Sequence, residues 1–185
     1  YDIQQLQALF GVSLEQVCHR LSSLQRRKAE GVPFYFVRVD QAGNISKRQS
    51  ATSFHFSKTG GACPLWNVHE VFSNPERIVR QVAEMPDGQR YFCIALQVHS
   101  GGGGFHSTGK RFSIGLGCEL QHAKRLVYAD GLDLECEHTV ARIGPGCRLC
   151  SRVSCSQRAF PPAGGAIATD PNVHSYSPYP FLAKG

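Results

Sequence analysis

The chain has 185 residues, 42% of them apolar, and a formal net charge of +6. That length fits one domain with an attached helical element and a tail, and that apolar share excludes wholesale disorder. No apolar run approaches the roughly 18–20 residues of a membrane-spanning helix, and Tyr1-Asp2-Ile3-Gln4-Gln5 has neither the basic nor the apolar stretch of a signal peptide.

Opening on Tyr rather than Met, the sequence reads as a piece of a longer protein. Residues 4–28 read as helical. Leu6, Leu9 and Phe10 share a first apolar face, Gly11 breaks it, and Ser13 opens a capping box with Glu15 and Gln16 close behind. Val17, Leu21 and Leu24 continue at helical spacing to the basic end Arg26-Arg27-Lys28, and Gly31 and Pro33 stop the run. Phe34 to Asp40, aromatic and β-branched, is the best strand. Ala42-Gly43-Asn44 is a turn, and Ile45 to Phe56 is the expected return strand. Gly60-Gly61 leads through Cys63-Pro64 into an expected short helix with Leu65, Trp66, Val68 and Val71. A second helix is expected from Ser73-Asn74-Pro75-Glu76, with Ile78, Val79 and Val82 as its buried stripe. Two strands, Arg90 to His99 and Lys110 to Gly117, flank the loop Ser100-Gly101-Gly102-Gly103-Gly104. Cys118 to Val127 is expected to be helical, and the Pro-, Gly- and Ser-rich stretch from Pro161 reads as a surface tail. The order points to an α+β fold, an antiparallel sheet with helices on one face, the layout of GAF and PAS ligand-sensing modules.

Eight cysteines without a signal peptide point to reduced thiols in a cytoplasm, and so to metal ligation rather than disulfides. The alternative is a secreted fragment stapled by disulfides. Cys118, Cys147, Cys150 and Cys155 have the spacing C-x28-C-x2-C-x4-C, in which a CxxC turns two thiolates to one centre and a third follows a turn later. No acidic residue lies from position 142 to 158, while Arg142, Arg148, Arg152 and Arg158 do. A 4Fe–4S cluster on four thiolates carries a net charge of about −2, which these guanidinium groups would offset. Zinc ribbons usually show two CxxC pairs. One pair plus a close third and a remote fourth cysteine is similar to the spacing in WhiB-type iron–sulfur regulators, so 4Fe–4S ranks above zinc. Cys63 is the alternative to Cys118 as fourth ligand. Cys18 and Cys93 read as core residues, and Cys136 is unassigned.

His69-Glu70 lacks the second histidine of HExxH, because position 73 is Ser73. No nucleophile elbow and no phosphate-binding GxxxxGK[ST] is present, so the chain does not read as an enzyme. Lys58-Thr59-Gly60-Gly61 before an expected helix start, with Lys47-Arg48 and Lys110-Arg111, can receive a ligand with several phosphates. The basic helix end carries no recognition-helix pattern for nucleic acid.

Five stretches together resemble the C-terminal domain of actinobacterial short-chain fatty acyl-CoA regulators, those of propionate catabolism in mycobacteria most of all. They are Phe36 to Arg48, Gly60 to His69, Ile114 to Cys118, Leu126 to Leu132, and Cys147 to Pro162. The resemblance covers residues 34–185. Leu9 to Arg26 is similar to the last helices of the ImmA/IrrE-like domain that precedes this module in those proteins. The implied division is residues 1–30 as the helical end of that domain and 31–185 as an acyl-CoA sensor, with a cysteine-rich segment 118–155 and a tail 161–185. What the resemblance implies is a homo-oligomeric transcription factor that binds DNA through a separate N-terminal domain and controls propionate metabolism. It would sense CoA or a short-chain acyl-CoA such as propionyl-CoA, and carry a 4Fe–4S cluster on Cys118, Cys147, Cys150 and Cys155. Arg38, Lys47, Arg48, Lys58, Gly60 and Gly61 are the candidates for the CoA phosphates. Two other classes stand beside this reading: a redox- or nitric-oxide-sensing iron–sulfur module without a small-molecule ligand, and a zinc-stapled interaction domain.

Overall fold

The computed structural model describes residues 1–56, 61–101, 105–106, 109–168, 172 and 179–181. Two short helices lead: α1 (Ile3–Phe10) and α2 (Leu14–Leu21). Asp2 caps α1 by accepting from the Gln4 and Gln5 N–H groups, and Gly11, at φ 61°, ends it in the left-handed conformation. Ser13 and Gln16 form the reciprocal capping box of α2. The helix does not continue to Lys28. Gln25–Arg26 (β1) and Ala29–Glu30 (β2) pair as a small hairpin, with Lys28 at φ 67° in its turn.

Six strands make the main sheet: β3 (Phe34–Asp40), β4 (Ile45–Ser50), β5 (Val79–Glu84), β6 (Arg90–Ser100), β7 (Lys110–Glu119) and β8 (Val140–Arg142). Their order is β4-β3-β7-β6-β5-β8, antiparallel except for the parallel β5–β8 pair. The mixed helix-and-sheet class expected from sequence is the class observed. The second expected helix is not there: Val79 and Val82 belong to β5, paired with Ala95 and Phe92 of β6. Asn74-Pro75 opens a turn instead, and pairing to a long buried strand overrides a stripe that also fits a helical period. The return strand stops at Ser50, where Ser50 Oγ and the Thr52 backbone tie a local turn. The expected helices after Cys63 and Cys118 are turns with short 3₁₀ stretches, Glu70–Phe72 and Leu120–Arg125. Gly102, Gly103 and Gly104 of the glycine loop lie outside the described residues.

Strand alternation divides the core in two. Phe34, Phe36, Ile94, Ile114, Leu116 and Cys118 face α1 and α2, packing with Ile3, Val17, Cys18 and Leu21. Residues 1–30 therefore share a core with the sheet. The opposite face carries Tyr35, Val37, Tyr91 and Cys93 under Phe54, Cys63, Trp66, Val68 and Ile143. Tyr35 lies flat across this face, and a Cβ built on Gly117 would fall 2.5 Å from its ring. Its hydroxyl donates to Cys93 Sγ at 2.9 Å.

Candidate metal centre and effector site

Cys63, Cys147, Cys150 and Cys155 line one small cavity, together with Pro64, Arg142, Ile143, Gly144, Arg152 and Arg158. Cys63 reaches it because the 61–72 segment folds over the sheet: Trp66 N–H donates to Cys63 O, and Asn67 Nδ2 ties to Val79 O and Cys93 O. The other three arrive on the turns after β8. Gly144 is needed there, since a Cβ on it would meet Cys150 Sγ at 2.6 Å. Ala159 N–H donates to Cys147 Sγ at 3.3 Å.

Cys118 is not in this group. It stands opposite Phe34 and Phe92 in the ladders of β7, on the face packed against the helices, whereas Cys63 belongs to the other face. The period-two alternation of β7 separates it from the cavity by the thickness of the sheet, so the fourth cysteine beside Cys147, Cys150 and Cys155 is Cys63. Burial pushes the Cys118 thiol up to about 12. The Cys63 thiol is pushed up to about 11, first by burial and further by Cys147 and Cys150, while the Leu65 and Gly144 N–H groups favour its thiolate. Bound cations invert such shifts, because a coordinating thiol is deprotonated outright.

Among the described residues, no three Cys, His, Asp or Glu side chains stand close enough to hold a single metal ion. A tetrahedral zinc with Zn–S of about 2.3 Å requires its sulfurs roughly 3.8 Å apart, whereas a four-iron cube spreads its ligands more widely. The lining fits an anionic group: four thiols and three arginines, with no carboxylate. Of the four arginines singled out by sequence, Arg142, Arg152 and Arg158 line the cavity. Arg148 instead lies over the Phe160 ring. Arg152 is held by Ile143 O and Glu84 O and stands 3.7 Å from the Glu84 carboxylate. Cys18 and Cys93 are core residues, and Cys136 stands outside the cavity, partly exposed.

The phosphate candidates do not converge. Arg38 is engaged by Glu15 Oε1 at 3.0 Å and by Ser46 Oγ, and its guanidinium covers Phe112. Lys47, its partner in the β3–β4 register, lies over Phe36. Arg48 pairs with Val37 and so belongs to the opposite face. Gly61, at φ 79°, precedes the Ala62 N–H that donates to Gly43 O. It docks the segment on the hairpin turn, and no helix starts behind it to present a dipole. Lys58 and Gly60 lie outside the described residues. The aromatics Tyr35, Phe54, Phe56 and Trp66 pack ring on ring, with centroids 4.2–6.2 Å apart. His69 is half-buried against Gly43, and burial lowers its pKa.

Residues 23–179 match the family described as short-chain fatty acyl coenzyme A regulator, C-terminal. The chain belongs to this family. It is 57% identical over 179 residues to the HTH-type transcriptional regulator PrpR of Mycobacterium tuberculosis, covering 97% of this chain and 37% of that protein. It is 55% identical to the HTH-type transcriptional regulator RamB of the same organism, over 97% of this chain and 38% of that one. The propionyl-CoA carboxylase regulator of Cereibacter sphaeroides is 54% identical, over 98% of this chain and 39% of its own length. A solved structure of a Mycobacterium tuberculosis transcriptional regulator superposes with a TM-score of 0.89 at 57% identity, covering 97% of this chain and 54% of that one. The chain thus spans about two fifths of the length of its curated relatives. The acyl coenzyme A regulator match begins after α2, so the two helices that share its core stand before it. Among the described residues, no helix is long and apolar enough to cross a membrane.

Proposed function

We propose that this chain is the ligand-sensing regulatory part of a cytoplasmic, DNA-binding transcription factor. It binds CoA or a short-chain acyl-CoA, propionyl-CoA foremost, and controls genes of short-chain fatty acid breakdown. DNA contact belongs to another part of the regulator, and the sensor itself is not an enzyme. The observation that carries this reading is the family match over residues 23–179, supported by a relative whose printed name is that of a propionyl-CoA carboxylase regulator. The antiparallel sheet with helices on one face supports the GAF- or PAS-like layout of a sensor.

The cysteine centre is part of the proposal. Cys63, Cys147, Cys150 and Cys155 would hold a 4Fe–4S cluster, whose chemistry is charge storage and structural stapling of an otherwise irregular segment. The thiol-and-arginine lining favours it over a neutral occupant. An effector shifts DNA binding only through different affinities for two conformations. Calorimetric titration with propionyl-CoA, acetyl-CoA and free CoA tests the sensor directly. Saturable heat, with a Kd that weakens as salt rises, is the expected result. Absence of heat at millimolar ligand would sink it. A response of DNA binding to reduction or nitric oxide alone, with CoA esters inert, would favour the redox module.

A further inference from the structure

Arg158 is 2% exposed, among the most buried large side chains of the chain. A guanidinium carries five N–H donors and a charge that it does not lose. Four of these donors are accounted for by backbone carbonyls. Nη1 donates to Cys147 O at 2.8 Å and to Phe160 O at 3.5 Å, and Nη2 donates to Cys150 O at 3.4 Å and to Arg152 O at 2.5 Å. The fifth, Nε–H, is buried with no acceptor. The group forms no ion pair with a carboxylate among the described residues, and one face of it is covered by the Phe181 ring at 4.5 Å. A buried charge without a counter-ion and a buried N–H without an acceptor each cost free energy, so both point to a missing anionic partner. Arg158 lines the same cavity as Cys63, Cys147, Cys150 and Cys155.

We propose that Arg158 is the positioning residue of the cysteine centre. Its Nη groups fasten the CxxC turn through the Cys147 and Cys150 carbonyls, and its Nε–H donates to a sulfur of the bound centre. This rests on the cysteines holding a metal or cluster, as proposed above. Outer groups of this kind orient ligands, and a hydrogen bond to cluster sulfur stabilises the more negative, reduced state.

The test uses the whole chain, made anaerobically and loaded with ferrous iron and sulfide, or with zinc, then challenged with EDTA. R158K keeps the charge but loses the fork and Nε–H; R148K is the control, since Arg148 does not line the cavity. R158K is expected to hold its metal about 10–100-fold more weakly than the parent in competition with EDTA, as loss of such a partner typically does. Its iron–sulfur midpoint potential is expected to move to more negative values, with R148K unchanged in both readouts. A loaded parent with R158K indistinguishable from R148K overturns the Arg158 assignment alone. A parent that takes up neither iron nor zinc overturns the reading of the cysteines, and this assignment with it. Loss of the sheet circular dichroism in metal-free R158K, absent from R148K, would mark Arg158 as a fold residue only and also overturn it.

Discussion

At the residue scale, three side chains and two glycines set the geometry of the sheet face that carries the cysteine cavity. Tyr35 lies across β7 because Gly117 leaves room for it, and Val37 and Val68 close over Gly115 in the same way. Gly117→Ala would place a methyl where the Tyr35 ring now lies. Overpacking of this kind costs about 1–3 kcal/mol. For a chain of this length that is a fall of about 2–12 °C in the melting midpoint, read by calorimetry. An unchanged midpoint would show that the ring does not occupy that position. The alternating glycines of Ile114-Gly115-Leu116-Gly117-Cys118 are visible in the sequence. Their cause is not, because it lies in a tyrosine more than eighty residues earlier.

At the element scale, α1 depends on Asp2. The Gln5 N–H, first, and then Tyr128 Oη and the Gln4 N–H hold its carboxyl below the usual value of 3.8. A carboxyl whose folded pKa is depressed stabilises the fold above its unfolded value, and loses that contribution as pH falls through the folded one. Amide exchange of Gln4 and Gln5, corrected for intrinsic rates, is therefore expected to lose protection below about pH 4. D2N should show no such pH step, and an equal step in D2N would contradict the capping role. Sequence shows the second cap, Ser13 with Gln16, and the strands Phe34 to Asp40, Arg90 to His99 and Lys110 to Gly117, the last two extended in the fold to Ser100 and Glu119, because local propensity and tertiary pairing agree there. It misplaces Val79–Glu84, where Ile78, Val79 and Val82 fit a helical stripe, whereas in the ladder with β6 Val79 and Val82 go to opposite faces of the sheet. It also extends the first helical region to Lys28, because a basic helix end and a hairpin turn can have the same composition.

Across the whole molecule, strand parity decides which cysteines meet. Spacing alone singles out Cys118 as the remote partner of the Cys147–Cys155 segment. Parity sends Cys118 under the helices, and the folding back of residues 61–72 delivers Cys63, so the alternative weighed from sequence is the one the fold brings to the cavity. The segment is also fastened to the sheet. Val140 pairs with Val82, Arg152 holds Glu84 O, and Arg90 bridges Glu84 and Glu137. Named contacts thus run from the cysteine segment to β5. The effector site is less legible: its candidate cations are divided between the two sheet faces, and phosphate recognition leaves no short fixed spacing in the sequence. The most direct measurement is the metal content and visible absorption of the anaerobically prepared chain beside its C63A and C118A variants. The account predicts broad iron–sulfur absorption that is lost in C63A and kept in C118A. Loss in C118A with retention in C63A would contradict it.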